Sequence, residues 1–209
     1  MDIIKHLKWR YATKKFDTTQ KLSKNQLHIL KEAFNLTATS FGLQTISLVI
    51  VEDKTIRQAL LPHAFNQQQV IDASHLLVIC IQNNIHKTDV ISHYNNIKNT
   101  RHTPEEILQP YQDNLIKTIE NMTPQERQQW SKNQAYIALG NLITVCATQG
   151  IDACPMEGFI PQKIDKLLAL NKKNLQSVLL LPVGIREKTD LFSKLEKVRK
   201  PITETVIEL

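Results

Sequence analysis

A chain of 209 residues, 42% hydrophobic and 22% charged, has the composition of one globular domain or one subunit of an interlocked dimer. Its formal charge of +6 suits an anionic ligand. The lysines and arginines are spread along the chain without a long basic block, however, and aromatic residues make up only 6%, so nucleic acid is not an expected partner.

The stretch MDIIKHLKWR carries charges where a secretory signal needs an apolar core, and it includes a short helix ahead of Arg10. Ser23 is placed to cap a helix whose three- and four-residue spacing would bury Leu27, Leu30, Ala33 and Phe34. A polar loop, Thr37 to Gln44, leads into a β-branched strand, Ile46 to Val51. Asp53 can cap a short helix through Leu61. The uninterrupted apolar run Leu76 to Ile81 reads as a strand covered on both faces.

The middle of the chain is helical. Thr103-Pro104-Glu105-Glu106 and Thr123-Pro124-Gln125-Glu126 each offer a capping threonine, a proline at the first helical position and a glutamate at the third. The second opens a long helix through Ala135, Leu139, Leu142, Ile143 and Cys146, with Gly150 placed for a left-handed cap. A short extended piece, Ile151 to Cys154, a helix over about Gln162 to Leu170 and a third buried strand, Val178 to Val183, follow. The tail, Thr205 to Leu209, is strand-like but has no sequence neighbour to pair with. The pattern predicts an α+β fold, one sheet sandwiched by helices, in a single domain over residues 1–209.

Much familiar chemistry is excluded. The five glycines, at 42, 140, 150, 158 and 184, spell neither GxGxxG nor a P-loop, and no GxSxG elbow is present. His86, His93 and His102 lie in a polar stretch without metal-ligand spacing, so no metal is expected. Cys80, Cys146 and Cys154 form no CxxC pair, and no apolar run reaches the about 18 residues of a membrane span, so a reduced, cytoplasmic protein is expected. What remains is cationic residues near both ends: Arg10, Lys14 and Lys15, then Lys197, Arg199 and Lys200. On their own these read first as a solvated basic surface. They could also serve a phosphate, arginine bidentately and lysine as a movable point charge.

Five motifs in order change that weighting. Arg10-Tyr11-Ala12-Thr13-Lys14-Lys15-Phe16-Asp17, Thr39-Ser40 with Gln44, Asp72-Ala73-Ser74-His75, Pro155-Met156-Glu157-Gly158-Phe159 and Lys197-Val198-Arg199 resemble the FMN-dependent nitroreductase family, in particular its oxygen-insensitive NAD(P)H nitroreductases and related dihydropteridine and flavin reductases. The resemblance implies a central mixed sheet between helices and an interlocked homodimer whose C-terminal extension lies over the partner. It also implies two FMN sites shared between subunits. Arg10, Lys197 and Arg199 would hold the FMN phosphate, with Tyr11 and Ala12 beside them. Lys14 would face the ribityl and pyrimidine region, and Asn66 and Gln69 the pyrimidine edge. Pro155, Met156, Glu157 and Gly158 would run beside the isoalloxazine, with the Gly158 N–H near N5. Thr39 and Ser40 would reach across from the partner.

The implied reaction is ping-pong electron transfer from NADH or NADPH to nitroaromatic, quinone or similar small acceptors. No side chain need act as acid or base, although Glu157 and Gly158 adjoin the hydride-accepting atom. Dihydropteridine or free-flavin reduction is the alternative within the class, and a flavin-binding module with little turnover lies outside it. Several residues also have plainer readings. Lys14 could be an exposed lysine, Glu157 and Gly158 turn residues, Asp72 and Ser74 turn ties, and Cys154 a packed thiol. Three departures from the family pattern bear on redox potential and acceptor range: Ala12 in place of a serine, Gln69 in place of a lysine, and Thr45-Ile46 in place of Pro-Trp.

Overall fold

The computed structural model describes residues 2–209. In chain order it places α1 (Ile3–Trp9), α2 (Lys24–Asn35), β1 (Ile46–Val51), α3 (Lys54–Leu60), α4 (Gln69–Asp72) and β2 (His75–Gln82), followed by α5 (Lys87–Arg101), α6 (Glu105–Asn121) and α7 (Pro124–Thr148). Then come β3 (Asp152–Ala153), α8 (Pro161–Leu167), β4 (Leu175–Gly184) and α9 (Ile202–Thr205).

The period-two geometry of β2 explains its unbroken apolar run. Leu76, Val78 and Cys80 enter one core with Leu60, Ala64, Val70 and Ile164, under α3, α4 and α8. Leu77, Ile79 and Ile81 point the other way, to Leu30 of α2 and Ala135, Ala138, Leu142 and Cys146 of α7. Helices thus cover both faces of the sheet, as expected. The strand order is β1-β2-β4-β3, and every named pair is antiparallel. The parallel component of the expected mixed sheet is a single bridge between Ala12 and Ala153.

Local signals account for several helix ends. Ser23 and Gln26 form a reciprocal capping box on α2, Asp53 accepts from Ile56 N at the start of α3, and Thr123 with Glu126 boxes the start of α7. Gly150, at φ +65°, follows α7 in the left-handed region that a Cβ disfavours. Leu30 is the one fully buried residue of α2; Leu27, Ala33 and Phe34 remain half-buried in the single chain.

Three expectations need correction. Helix α6 starts one residue late: Pro104, not Thr103, is its N-cap, with ψ 146° and no side-chain cap bond. A proline satisfies the sequence pattern at either position, and its ψ decides which. The helix expected over about Gln162 to Leu170 stops at Leu167, because Ala169 adopts φ 52°. The polar histidine stretch forms α5, in keeping with a helical middle, with His86 at its N-terminal and His102 at its C-terminal cap. Finally, Thr205–Leu209 pairs with no strand among the described residues: Ile202–Thr205 forms a helical turn, and Val206 after it is extended but unpaired. A strand needs an open edge, and the tail meets none within its own chain.

The corrected cap gives a stability test. Thr123→Ala should destabilise the protein by about 1 kcal/mol through loss of the cap. Thr103→Ala should stay within about 0.5 kcal/mol, as surface substitutions do. Urea unfolding of both variants checks this.

Candidate functional site

The segment after α1 is laid along the sheet edge by backbone pairing. Arg10 N–H caps α1 on His6 O at 3.1 Å, Thr13 N–H donates to Ala153 O at 3.2 Å, and Asp17 N–H to Ile185 O at 2.8 Å. Thr13 and Phe16 are buried, Tyr11 and Ala12 are partly buried, and Lys14 and Lys15 are exposed.

Two buried carboxylates pin this segment to the end of the chain. Asp152 accepts from Arg186 Nε at 2.6 Å and from Arg186 N at 2.8 Å. The Arg186 guanidinium in turn stacks against the rings of Trp9 and Tyr11, 4.1 and 4.6 Å from their centroids, so the residues on either side of Arg10 are held by one cation. Burial raises the Asp152 carboxyl above its ordinary value, against the pull of Arg186. Asp190 takes Lys14 N–H, Lys15 N–H and the Tyr11 hydroxyl on one oxygen, at 2.8, 3.0 and 2.9 Å, and Phe192 N–H on the other at 3.1 Å. Burial alone would raise its pKa; these hydrogen bonds outweigh that and hold it low. Burial and the bond to Asp190 push the Tyr11 hydroxyl well up.

Arg10, Lys197 and Arg199 come together. Lys197 Nζ donates to Arg10 O. Burial and then Arg199 lower the pKa of Arg10, while burial, Arg10, Arg199 and Arg186 lower that of Lys197. Among the described residues none of the three cations forms an ion pair. The Lys14 charge opposes the upward shift that burial imposes on the Cys154 thiol. The other two thiols, Cys80 and Cys146, are buried and pushed up to about 12, as packed core thiols are.

Met156 bridges Leu180 through paired backbone bonds, which sets the segment 155–158 against β4. Met156 is buried and Pro155 half-buried, whereas Glu157 is exposed and accepts the Tyr136 hydroxyl of α7 at 2.7 Å. Gln67 Nε2 donates to Gly158 O at 2.7 Å. A Cβ on Gly158 would stand 3.2 Å from that amide and 3.5 Å from Phe65 Cδ2, so the wall is tight. Phe65 and Asn66 are both left-handed, at φ 51° and 57°, a strained pair that leaves the Phe65 ring exposed beside Gly158. Asn66 is exposed nearby and Gln69 opens α4, half-buried.

Thr39 and Ser40 stand apart from these residues. Ser40 N–H donates to Gln134 Oε1 at 2.8 Å, and Thr39 Oγ1 accepts from Gln44 N–H. Gln134 and Tyr136 are two residues apart on α7, about 200° around the helix, so the Ser40 loop and Glu157 lie on nearly opposite flanks of it. Ser74, read as a turn tie, accepts Leu22 N–H and bonds the His75 ring.

The sequence reading missed Asp152, Arg186, Asp190, Gln67, Phe65 and Tyr136. Asp190 had a local signal, an aspartate two residues ahead of the Phe192 N–H it accepts. Its bonds to residues 11, 14 and 15 span more than 170 positions and left none.

Comparison with known proteins bears on the whole arrangement. The sequence profile of the Nitroreductase family matches residues 7–185. A Staphylococcus haemolyticus protein, provisionally named an NAD(P)H nitroreductase, is 30% identical over 216 residues, covering 99% of this chain and 96% of its own. Among solved structures, a nitroreductase-type protein of Bacillus subtilis superposes with a TM-score of 0.89 at 19% identity, over 100% of this chain and 99% of the other. Another from Exiguobacterium sibiricum, solved in complex with FMN, gives 0.84 at 21%, over 100% and 98%. No helix among the described residues is long and apolar enough to cross a membrane.

The Asp152–Arg186 pair yields a pH-dependent prediction. A carboxyl whose folded pKa is raised weighs against the folded state above that pKa, and protonation relieves the cost as pH falls. Arg186→Met should therefore cost about 3 kcal/mol at neutral pH by leaving Asp152 unpaired. The deficit should shrink between about pH 7.5 and about pH 5, as urea unfolding at both values would record.

Proposed function

This chain belongs to the nitroreductase family, and from that premise we propose that it is an FMN-dependent oxidoreductase carrying electrons from NADH or NADPH to nitroaromatic, quinone or similar small acceptors. The observation that carries this reading is the convergence of Arg10, Lys197 and Arg199. Three cations drawn from opposite ends of the chain meet, burial and then their mutual repulsion lower the pKa values of Arg10 and Lys197, and the three lack an acidic partner among the described residues. A phosphate dianion supplies that partner, and charge-assisted bonds to it are among the strongest a side chain makes. The solved neighbour from Exiguobacterium sibiricum holds FMN.

The rest of the site suits a flat ring. Gly158 supplies backbone where a Cβ would crowd Gln67 and Phe65, and Tyr136 holds the Glu157 carboxylate beside it. Lys14 would face the ribityl and pyrimidine portion, with Asn66 and Gln69 toward the pyrimidine edge. Tyr11, Ala12, Pro155 and Met156 serve as walls, because their side chains are wholly or partly withdrawn into the fold. When bound, FMN would supply the hydride and electron chemistry that no side chain here provides. The chain's own part is to orient donor and acceptor in one place in turn, so the oxidised nicotinamide leaves before the acceptor enters, a ping-pong order.

A homodimer completes the reading. The Ser40 loop faces away from Glu157 across α7, which supports Thr39 and Ser40 serving the partner's flavin. Leu195, Val198, Ile202 and Ile207 are exposed along the tail and would be covered by lying over the partner. We place the protein in the cytoplasm, where its three free, buried thiols stay reduced.

Anaerobic mixing of the FMN-loaded protein with NADH or NADPH tests the function. The visible absorbance of the oxidised flavin should fall, then return when a nitroaromatic or quinone is added. A flavin that neither nucleotide reduces would leave a binding module in place of an enzyme.

A further inference from the structure

We propose that Asp190 is the positioning residue that assembles the phosphate clamp, an inference that rests on the FMN reading above. The three clamp cations come from residues 10 and 197–199, and their mutual repulsion opposes bringing those segments together. The segment 191–199 has little of its own to hold it. Leu191, Phe192, Leu195 and Val198 are exposed, and its regular structure is one short turn, Leu191–Lys194. It is tied to the N-terminal segment at two points. One is Lys197, itself a clamp cation, donating to Arg10 O.

The other is Asp190, which carries no positive charge and is only 1% exposed. Its carboxylate receives three donors from residues 11, 14 and 15, and its backbone oxygen receives Ser193 N–H at 3.1 Å and Ser193 Oγ at 2.7 Å. Glu187 N–H already bonds Lys15 O at 2.9 Å; beyond that pairing, Asp190 fixes where the strap leaves the sheet and where the stretch after Arg10 runs beneath it. Lys14 Nζ also lies 5.9 Å from the Phe192 ring, on the strap side of the same junction. An asparagine keeps the shape but loses the charge, and it presents an N–H₂ group where the carboxylate accepts four donors. Beyond the Glu187 N–H bond to Lys15 O, hydrogen bonds would then hold the strap at Lys197 alone, and Arg199 would no longer be delivered to Arg10.

The test is the preference for FMN over riboflavin, measured by titrating each apoprotein below its melting temperature. Riboflavin lacks the phosphate, so a general loss of stability weakens both ligands alike and leaves their ratio unchanged. A clamp that fails to assemble lowers the ratio. Asp190→Asn should reduce the preference about tenfold, on the scale of one charge-assisted bond lost. Tyr11→Phe, which removes one of the four donors and keeps the carboxylate, should reduce it by a smaller factor. If Asp190→Asn does not fold, an unaltered preference in Tyr11→Phe overturns the proposal. An unaltered preference in folded Asp190→Asn overturns it outright. If the unsubstituted protein itself shows no preference for FMN, the phosphate reading has failed, which is a separate result.

Discussion

Arg10, Lys197 and Arg199 repel one another, and the structure nonetheless holds them together at the junction of the two chain ends. With five glycines and no glycine-rich loop, the chain lacks the backbone cradle such a loop offers an anion, so side-chain cations would do that work. Cations are long, flexible and mutually repulsive, and each needs a fixed base. Two buried carboxylates provide it. Asp152 holds Arg186, whose guanidinium braces Trp9 and Tyr11 on both sides of Arg10, and Asp190 ties the same stretch to the strap that bears Lys197 and Arg199. The negative charges sit behind the site, bonded to backbone and side-chain donors, and the positive ones have no acidic partner among the described residues.

The fold serves this junction. The sheet is covered on both faces, so its apolar alternation fixes β2 and β4 rigidly, and β3 at its edge receives residues 12 and 13 as an added short pairing. The chain's start and finish therefore meet at one edge. The 155–158 segment is set by the Met156–Leu180 pairing on the same strand β4, at the sheet edge that the Lys14 segment follows. Strain is stored beside Gly158, in the consecutive left-handed residues Phe65 and Asn66.

Features carried by short-range pattern were legible in the sequence. The run Leu76–Ile81, the Thr123–Glu126 box and Gly150 each encode their structure within a few residues. Pro104 was misplaced by one position because a proline fits both sides of a helix start, and the tail was misread because a β-branched run says nothing about an edge to pair with. The types of the clamp cations could be read, and the family resemblance assigned their roles, but their neighbourhood depends on contacts across nearly the whole chain. Asp190 was invisible for the same reason. Its sequence context is a charged loop, and its function is set by donors more than 170 residues away.

The central claim is that these cations exist for a phosphate, and the unsubstituted apoprotein tests it most directly. Its affinities for FMN and for riboflavin should differ by at least about 100-fold, since two or more charge-assisted bonds of about 1.5–3 kcal/mol each depend on the phosphate. Equal affinities for the two flavins would make Arg10, Lys197 and Arg199 ordinary surface charges and contradict the account.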